Sequence, residues 1–238
     1  MPQIEDSPRR VRVKFNGEII ADSKRMKLML GRHPVYFFPQ QDVHMEFLTP
    51  TDRERNDSIG HTKHWTVTVN EKSAINAAYT YTSFRDETEG SLDGYLTFTW
   101  REMDAWYEEA EEIFGHPRSP YHRVDVRRSD RHVRVVIDGV TVAETTNALF
   151  LFETGIRTRY YIPQEDIRMD LLSRTDTQTI CPYKGFASYW SVTINGNVYE
   201  DIVWAYEDPF PEASPIKGAL SFYNEKLDIY VDGVLEDK

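Results

Sequence analysis

Residues with chemically reactive side chains are concentrated in the stretch TICPYKGFASYWSV, residues 179–192. Cys181 is the only cysteine among the 238 residues, and Lys184 follows it three positions later. A nearby ammonium group favours the thiolate, which is the nucleophilic form of cysteine. The pair therefore predicts a reaction site in which either the Cys181 thiol or the Lys184 amine is the nucleophile.

The same stretch also fits a buried turn without chemistry. Cysteine is among the residue types most often buried in proteins. Pro182 restricts Cys181 to extended backbone, and Gly185 permits a sharp bend before the next strand. The sequence leaves two interpretations open, a ligand or reaction site and a core thiol ahead of a tight turn.

Aromatic residues after this stretch could form the wall of a binding pocket. Trp190, Trp204 and Tyr206 are the candidates. Pockets for small molecules are concave, lined largely by apolar and aromatic side chains, and contain a few polar groups that orient the ligand. No complete set of acid and base residues accompanies these aromatics, so binding is favoured over catalysis.

A polar segment upstream could line the same cleft. In DIRMDL, residues 166–171, polar and apolar residues alternate, which predicts a strand with Asp166 and Arg168 on one face. That face is either solvated or contributes to a ligand site.

Composition narrows the class of protein. The formal net charge is −11, which argues against a nucleic-acid binder, and one cysteine excludes an intrachain disulfide. No apolar run approaches the roughly 20 residues needed to cross a bilayer, and no signal-peptide pattern is present. We expect a soluble cytoplasmic protein that binds neither nucleic acid nor membranes, with an unknown cofactor requirement and oligomeric state.

Histidine placement disfavours a metal site. All seven histidines lie between His33 and His132. This excludes a Cys-His catalytic pair or a zinc site built from the body of the second half of the chain alone. His61 and His64 are three positions apart, which places them on opposite faces of a strand, so we expect surface or packing roles and no metal.

The chain is an internal duplication. RVRVKFNGEIIAD from Arg10 resembles HVRVVIDGVTVAE from His132, YFFPQQDVHMEFL resembles YYIPQEDIRMDLL, and GHTKHWTVTVN resembles GFASYWSVTIN, in the same order and at nearly constant separation. Repeats of this length predict two domains of one fold. The predicted boundaries are a first copy at 1–115, a linker at 116–130 and a second copy at 131–238.

Each copy has a β pattern. Asp138-Gly139 and Asn195-Gly196 separate pairs of short apolar runs and predict β-hairpins. A third hairpin near Asn224 would complete a meander of antiparallel strands. In the first copy, residues 103–114 have helical spacing, but the repeat predicts a strand at 103–108 and leaves the acidic remainder undecided.

The two copies differ at the reactive stretch. RNDSIG in the first copy replaces QTICPYKG in the second, and Tyr79 replaces Trp204. Positions shared by both copies are most simply scaffold. The difference therefore predicts a site in the second copy only.

The second copy closely resembles the family known as domain of unknown function 427, over the motifs YYIPQEDIRMDLL, TICPYKGFASYW and VWAYEDPFPEASPIKGALSFY. The resemblance implies a mainly β, β-tent-like domain in tandem form. It marks the hallmark positions Tyr161, Pro163, Asp166, Cys181, Tyr183, Lys184, Gly185, Tyr189, Trp190, Trp204 and Tyr206. The family has carried a nucleotidyltransferase-like label, but no paired acidic metal ligands after a Gly-Ser turn appear here.

These observations predict a small-molecule-binding module with an aromatic cleft in the second domain. The predicted ligand-binding residues are Tyr161, Asp166, Arg168, Tyr183, Tyr189, Trp190, Trp204 and Tyr206. Two alternatives remain, an enzyme that uses Cys181 or Lys184 as its nucleophile and a structural or protein-interaction scaffold. The sequence does not identify the ligand.

Overall fold

The computed structural model describes residues 3–87 and 90–238, and it is built from β-strands with short 3₁₀ turns. Contacts divide the chain into two units, Met1–Ser119 and Pro120–Lys238. The mainly β class predicted from aromatic content and hairpin signals is confirmed. Within the described ranges, no helix is both long enough and apolar enough to span a membrane.

The first domain contains short strands that follow one another closely. They are β1 (Ile4–Ser7), β2 (Val11–Phe15), β3 (Glu18–Ser23), β4 (Met26–Met29), β5 (Val35–Pro39), β6 (Leu48–Asn56), β7 (Gly60–Val69), β8 (Lys72–Phe84), β9 (Tyr95–Phe98), β10 (Ala105–Glu108) and β11 (Glu111–Ile113). Its 3₁₀ turns are Gln40–Asp42, Met45–Phe47 and Trp100–Glu102.

The second domain repeats this series. Its strands are β12 (Val124–Arg128), β13 (Val133–Ile137), β14 (Val140–Thr145), β15 (Leu149–Glu153), β16 (Arg159–Ile162), β17 (Leu172–Cys181), β18 (Gly185–Ile194), β19 (Asn197–Tyr206), β20 (Leu220–Phe222), β21 (Asp228–Val231) and β22 (Val234–Leu235). Its 3₁₀ turns are Gln164–Asp166, Met169–Leu171 and Pro211–Ile216.

Each domain consists of two antiparallel sheets. The large sheets have the orders β1-β4-β5-β9-β8-β7-β6 and β12-β15-β16-β20-β19-β18-β17. The small sheets have the orders β11-β10-β2-β3 and β14-β13-β21-β22. Read with β22 first, the second small sheet matches the first strand for strand, so the predicted duplication is confirmed at the level of topology.

Two of the predicted hairpins are confirmed. Ile137 pairs with Val140 across Asp138-Gly139, and Ile194 pairs with Asn197 across Asn195-Gly196. Both residues of each turn have positive φ, which is the geometry of a type I′ turn and explains the Asp-Gly and Asn-Gly sequences.

The third predicted hairpin is wrong. The chain near Asn224 connects β20, in the large sheet, to β21, in the small sheet, so these strands do not pair. The hairpin instead lies between β21 and β22, where Val231 pairs with Val234. The meander is therefore interrupted by a crossing between sheets.

The predicted strand at residues 166–171 is also wrong. This segment forms two consecutive 3₁₀ turns, Gln164–Asp166 and Met169–Leu171. Ile167 is buried between them while Arg168 is exposed. Successive tight turns thus produced the same apolar and polar alternation that a strand would give.

Segments near the predicted boundaries carry regular structure. The range 116–130, predicted as a linker, contains β12, which pairs along its length with β15. In the first domain, residues 105–108 form β10, as the repeat predicts, and a 3₁₀ turn precedes them. The repeat was a better guide here than the local helical spacing.

A hydrophobic core lies between the two sheets of each domain. In the first domain it includes Val11 and Val13 from the small sheet and Val67 and Phe98 from the large sheet. In the second it includes the matching Val133, Val135, Val192 and Phe222. The opposite face of each large sheet carries a second layer of side chains, which includes the Cys181 cluster of the second domain and part of the candidate site of the first.

Candidate functional site

The Cys-Pro-Tyr-Lys-Gly stretch is the turn between β17 and β18. Cys181 pairs with Gly185, and the Lys184 N–H donates a hydrogen bond to the Cys181 carbonyl at 3.2 Å. Gly185 has φ +108°, and a Cβ there would lie 3.3 Å from the Asp208 carbonyl oxygen. The backbone conformation therefore favours glycine, and a side chain here would also lie tightly against the neighbouring chain.

Lys184 is held in a buried ion pair. Its Nζ contacts Glu153 Oε2, and the side chains of Lys184 and Glu153 are only 9% and 5% exposed. The other oxygen of Glu153 lies 2.9 Å from His122 Nε2, and the His122 ring stacks on Tyr183 at 3.9 Å between centroids. The motif thus fastens its turn to β15 and to the segment that enters β12. The nucleophile role of Lys184 remains a prediction, but its amine is engaged by a carboxylate.

His122 is a residue that the sequence reasoning left out of the second domain. It lies in the range predicted as linker, and the structure includes it in the unit Pro120–Lys238. A histidine therefore does lie beside the motif, two residues before β12 begins. Its contact with the Glu153 carboxylate links His122 to the Lys184–Glu153 ion pair.

Five of the predicted site residues come together in one buried cluster. Tyr161, Tyr189, Trp204 and Tyr206 pack against one another, with the half-buried Cys181 at the edge. Trp204 Nε1 donates a hydrogen bond to the Tyr161 hydroxyl at 3.1 Å. Burial raises the pKa of the Tyr161 and Tyr206 hydroxyls well above the usual range.

This cluster is covered by neighbouring elements. Ala213 and Ile216, from the 3₁₀ turn Pro211–Ile216, are fully buried against it, as is Leu151 from β15. Val124 and Val126 from β12 pack beside them. The aromatic side chains that the sequence assigned to a cleft wall are thus in contact with a packed second layer.

The remaining predicted ligand residues lie elsewhere in the domain. Trp190 packs into the core between the sheets, with the Arg174 guanidinium 5.4 Å from its ring centroid. Asp166 accepts a hydrogen bond from Thr145 Oγ1 at 2.6 Å. Arg168 forms an exposed ion pair with Asp170. These contacts are structural, and they do not bring the three residues to the Cys181 cluster.

A cleft of about 660 Å³ lies in the first domain. Part of it is built on the face of the large sheet that matches the Cys181 cluster, and part is lined by core residues such as Phe98 and Trp106. Cross-strand pairs join Arg55 to Thr62 and His64 to Tyr79, and Tyr79 in turn pairs with Thr97 on β9. Because side chains alternate along strands, these residues share one face and line the cleft as rows across the sheet.

Aromatic residues form much of the cleft lining. The His64 and Tyr79 rings are stacked at 5.7 Å, and Trp100 and Trp106 are stacked at 4.6 Å. Ile75, which also lines the cleft, is 76% exposed. An accessible apolar side chain beside aromatic walls is typical of a surface that covers a ligand.

The acidic and basic side chains around the cleft differ in how they are bonded. Burial disfavours the ionised form of Asp57, but hydrogen bonds from the Gly60 and Ile59 N–H groups and the Tyr81 hydroxyl outweigh it and lower the pKa of Asp57 below its usual value. Arg53 and Arg55 line the same cleft, are exposed, and form no ion pair in the part of the chain that the structure describes. The Asp57 carboxylate is therefore bonded mainly by internal donors, the Arg55 charge adds a smaller attraction to it, and neither arginine forms an ion pair with it.

His64 is a neutral member of the lining. Burial lowers its pKa below the ordinary value of histidine, and the nearby Arg53 and Arg55 charges act in the same direction. Its Nε2 lies 2.9 Å from Thr62 Oγ1, and its Nδ1 lies 3.3 Å from the Asn76 carbonyl. Both ring nitrogens are thus engaged, which fixes the plane of the imidazole on Tyr79.

Buried polar atoms without partners border the cleft. Thr97 is fully buried, and its Oγ1 has no hydrogen-bond partner, nor does Trp106 Nε1. Native proteins satisfy most buried polar atoms, so each exception calls for an explanation such as a bound molecule.

The residues at the matching positions of the second domain form different hydrogen bonds. Tyr79 is replaced by Trp204 and Phe37 by Tyr161, and these two replacements bond to each other. Thr97 is replaced by Ser221, whose buried Oγ is again without a partner. The same sheet face is thus packed in one domain and open in the other.

The sequence reasoning missed the first-domain cleft. Its signal was present in RERNDSIG and GHTKH, where Arg53 and Arg55 alternate on β6, Asp57 follows that strand, and Thr62 and His64 alternate on β7. This divergence from the second copy was interpreted as loss of a site. The same sequence difference is also expected if the first domain carries a site lined by different polar residues.

Among the described residues, no group of three or more His, Cys, Asp or Glu side chains is arranged to hold a metal ion. Comparison with curated proteins gave no match. The sequence profile of the family described as Domain of unknown function (DUF427) matches twice, over residues 3–109 and 125–233. Each match covers most of the sheet pair of one domain, and together they cover most of the chain. The chain belongs to the DUF427 family as a tandem, two-domain member.

Proposed function

We propose that this protein is a small-molecule-binding module and that its binding site is the cleft of the first domain. The observation that carries the proposal is the pair of buried, unpartnered polar atoms, Thr97 Oγ1 and Trp106 Nε1, on the wall of a cleft of about 660 Å³. Both atoms are covered in this structure, so a bound molecule would supply the missing hydrogen bonds after the neighbouring side chains move aside. The volume lies within the range of about 300–1,000 Å³ that is usual for ligand pockets.

The energetic argument concerns the cost of unmade hydrogen bonds. A buried polar atom without a partner costs about 1–3 kcal/mol. The ligand-free first domain carries this cost at Thr97 and Trp106, and both residues line the same cleft. Binding recovers the cost only if the ligand reaches these atoms, which gives selectivity for molecules with polar groups in matching places.

The second domain offers an alternative location for the same function. Its supporting observation is the unpartnered Ser221 Oγ beneath Trp204, next to the cluster with Cys181. The predicted ligand residues Tyr161, Tyr183, Tyr189, Trp204 and Tyr206 belong to this alternative. It is less favoured because the aromatic side chains there are buried by a covering layer.

A metabolite screen on the full chain tests the proposal. Thermal shift identifies stabilising compounds, and isothermal titration then measures their affinity for the parent chain, for Thr97→Val and for Ser221→Ala. These two variants remove matching hydroxyls from the two domains and provide controls for each other. Affinity lost in Thr97→Val and retained in Ser221→Ala supports the first-domain site. The reverse pattern assigns binding to the second domain and rejects the proposal.

A further inference from the structure

We infer that the ligand of the first-domain cleft is a planar aromatic acid. The inference rests on the proposed function, because it assigns a chemical class to the molecule that this cleft binds. Three features of the cleft lead to it, namely aromatic walls, two unpaired guanidinium groups at its rim, and unsatisfied hydrogen-bonding atoms in its interior.

The aromatic walls favour a flat apolar body. Tyr79 and Trp100 are both half-buried, so part of each side chain remains accessible. Their rings stack on those of His64 and Trp106, which hold their planes. Aromatic pairs contribute binding energy beyond the area that they bury, since their stacked and edge contacts are electrostatically favourable. Ile75 adds an exposed apolar contact at the rim.

The rim favours an anionic group. Arg53 and Arg55 lie on β6, on the same face, and neither is paired with a carboxylate in the described part of the chain. Arginine recognises carboxylates through its planar fork of donors. Their counterparts in the second domain are the neutral Thr177 and Thr179, which bond within that domain at Asp201 and Tyr189. Unpaired positive charge at this rim is notable in a chain of net charge −11.

The other charges at the cleft do not cancel this preference. Asp57 is engaged by backbone N–H groups and by Tyr81, as described above. Glu102 and Arg101 are adjacent and exposed, and they contribute opposite charges. His64 is neutral near pH 7, so the attraction for an anion comes from the two arginines.

The interior atoms favour a ligand with a polar substituent. Trp106 Nε1 is a donor only, and Thr97 Oγ1 can donate or accept. An acceptor on the ligand, such as a ring oxygen, a carbonyl or a hydroxyl, would satisfy Trp106 Nε1, and a second polar group would be needed at Thr97 Oγ1. A plain hydrocarbon acid leaves them unsatisfied and binds more weakly.

Three small probes test the ligand class on the full chain. They are 6-hydroxy-2-naphthoate, its uncharged amide 6-hydroxy-2-naphthamide, and the saturated cyclohexanecarboxylate. Isothermal titration measures the affinity of each probe. We expect the naphthoate to bind at least tenfold more tightly than either of the other two.

Arginine variants supply the matched control. Arg53→Gln/Arg55→Gln removes the two rim charges, and Arg127→Gln/Arg128→Gln removes two exposed charges from β12 in the second domain. We expect the first double variant to weaken naphthoate binding about tenfold and to leave the amide unchanged. The second double variant leaves both affinities unchanged.

The outcomes separate this inference from the proposed function. Equal affinity for naphthoate and amide, or an unselective effect of the Arg53/Arg55 variant, overturns the acid class while the cleft still binds. If no probe binds, but compounds from the metabolite screen bind and lose affinity in Thr97→Val, the acid class is overturned and the proposed function stands. Binding that is insensitive to Thr97→Val for probes and library compounds alike overturns both.

Discussion

Thr97 and Ser221 occupy matching positions in the two domains, and each is fully buried with a side-chain hydroxyl that has no hydrogen-bond partner. In the first domain the hydroxyl borders an open cleft, and in the second it lies beneath a packed aromatic cluster. A shared defect of this kind follows from the duplication. Whether the hydroxyl borders an open cleft or a packed cluster depends on the side chains around it.

Removing the Thr97 hydroxyl should stabilise the ligand-free protein. Thr97→Val keeps the shape of the side chain and removes a buried atom without a partner, so we expect a gain of about 1 kcal/mol in the free energy of unfolding. Urea unfolding of the full chain measures it. Thr62→Val is the matched control, because the Thr62 hydroxyl is buried but bonded to the Arg55 carbonyl. That variant should be destabilised, and equal effects of the two would contradict the argument.

Removing the Lys184 charge should destabilise the second domain. Lys184→Met leaves the Glu153 carboxylate buried without its ion-pair partner, and breaking such a pair costs about 3–5 kcal/mol. Chemical denaturation of the full chain reports the loss. Lys217→Met, which removes one partner of the exposed Lys217–Asp208 pair, should change stability by less than about 1 kcal/mol. A similar loss of stability in both variants would show that the buried ion pair contributes no more than the exposed one.

Alkylation tests the reactivity of Cys181. The sulfur lies at the edge of a packed aromatic cluster, and the Lys184 amine is engaged by Glu153. We expect slow labelling by iodoacetamide in the native protein and fast labelling after unfolding. The labelling rate of Lys184→Met is measured alongside that of the parent chain. Because the variant is expected to be less stable, both rates are measured under conditions in which both proteins are folded. Rapid native labelling well below the free-thiol pKa of about 8.5 would instead support the nucleophile hypothesis.

Protonation of His64 should oppose folding. Its pKa is lowered in the folded state, mainly by burial, relative to about 6.5 in the unfolded chain. The unfolded state therefore binds the proton more readily, so this contribution to stability is complete above pH 6.5 and is lost as the pH falls below it. Nuclear magnetic resonance titration should give a midpoint for His64 below 6.5, and Arg53→Gln/Arg55→Gln should move it upward. A midpoint at or above 6.5 would refute this.

Local turn chemistry explains which parts of the fold could be predicted from the sequence. Asp138-Gly139 and Asn195-Gly196 adopt the positive φ values that type I′ turns require, so these hairpins are encoded by adjacent residues. The chain near Asn224 carries no such signal, because it crosses from one sheet to the other. That crossing depends on packing between sheets, which no short stretch of sequence records.

The candidate site was harder to predict because it depends on pairs of distant residues. The aromatic cluster of the second domain was identified in part, since Tyr161, Tyr189, Trp204 and Tyr206 do come together with Cys181. Whether the face is filled or open is a different question. Tyr161 accepts a hydrogen bond from Trp204, whereas Phe37 has no atom to accept one from Tyr79. Sequence comparison records these substitutions but not their effect on packing.

The indole N–H resonances provide the most direct measurement of the central claim, that the first-domain cleft binds a small molecule. The chain has five tryptophans, and Trp106→Phe and Trp204→Phe assign the two resonances of interest. Trp106 Nε1 is unpartnered on the cleft wall, whereas Trp204 Nε1 is bonded to Tyr161. On titration with a compound from the screen, we predict that the Trp106 indole N–H shifts downfield with saturation while that of Trp204 stays unchanged. A saturating shift at Trp204 with no change at Trp106 would contradict the claim.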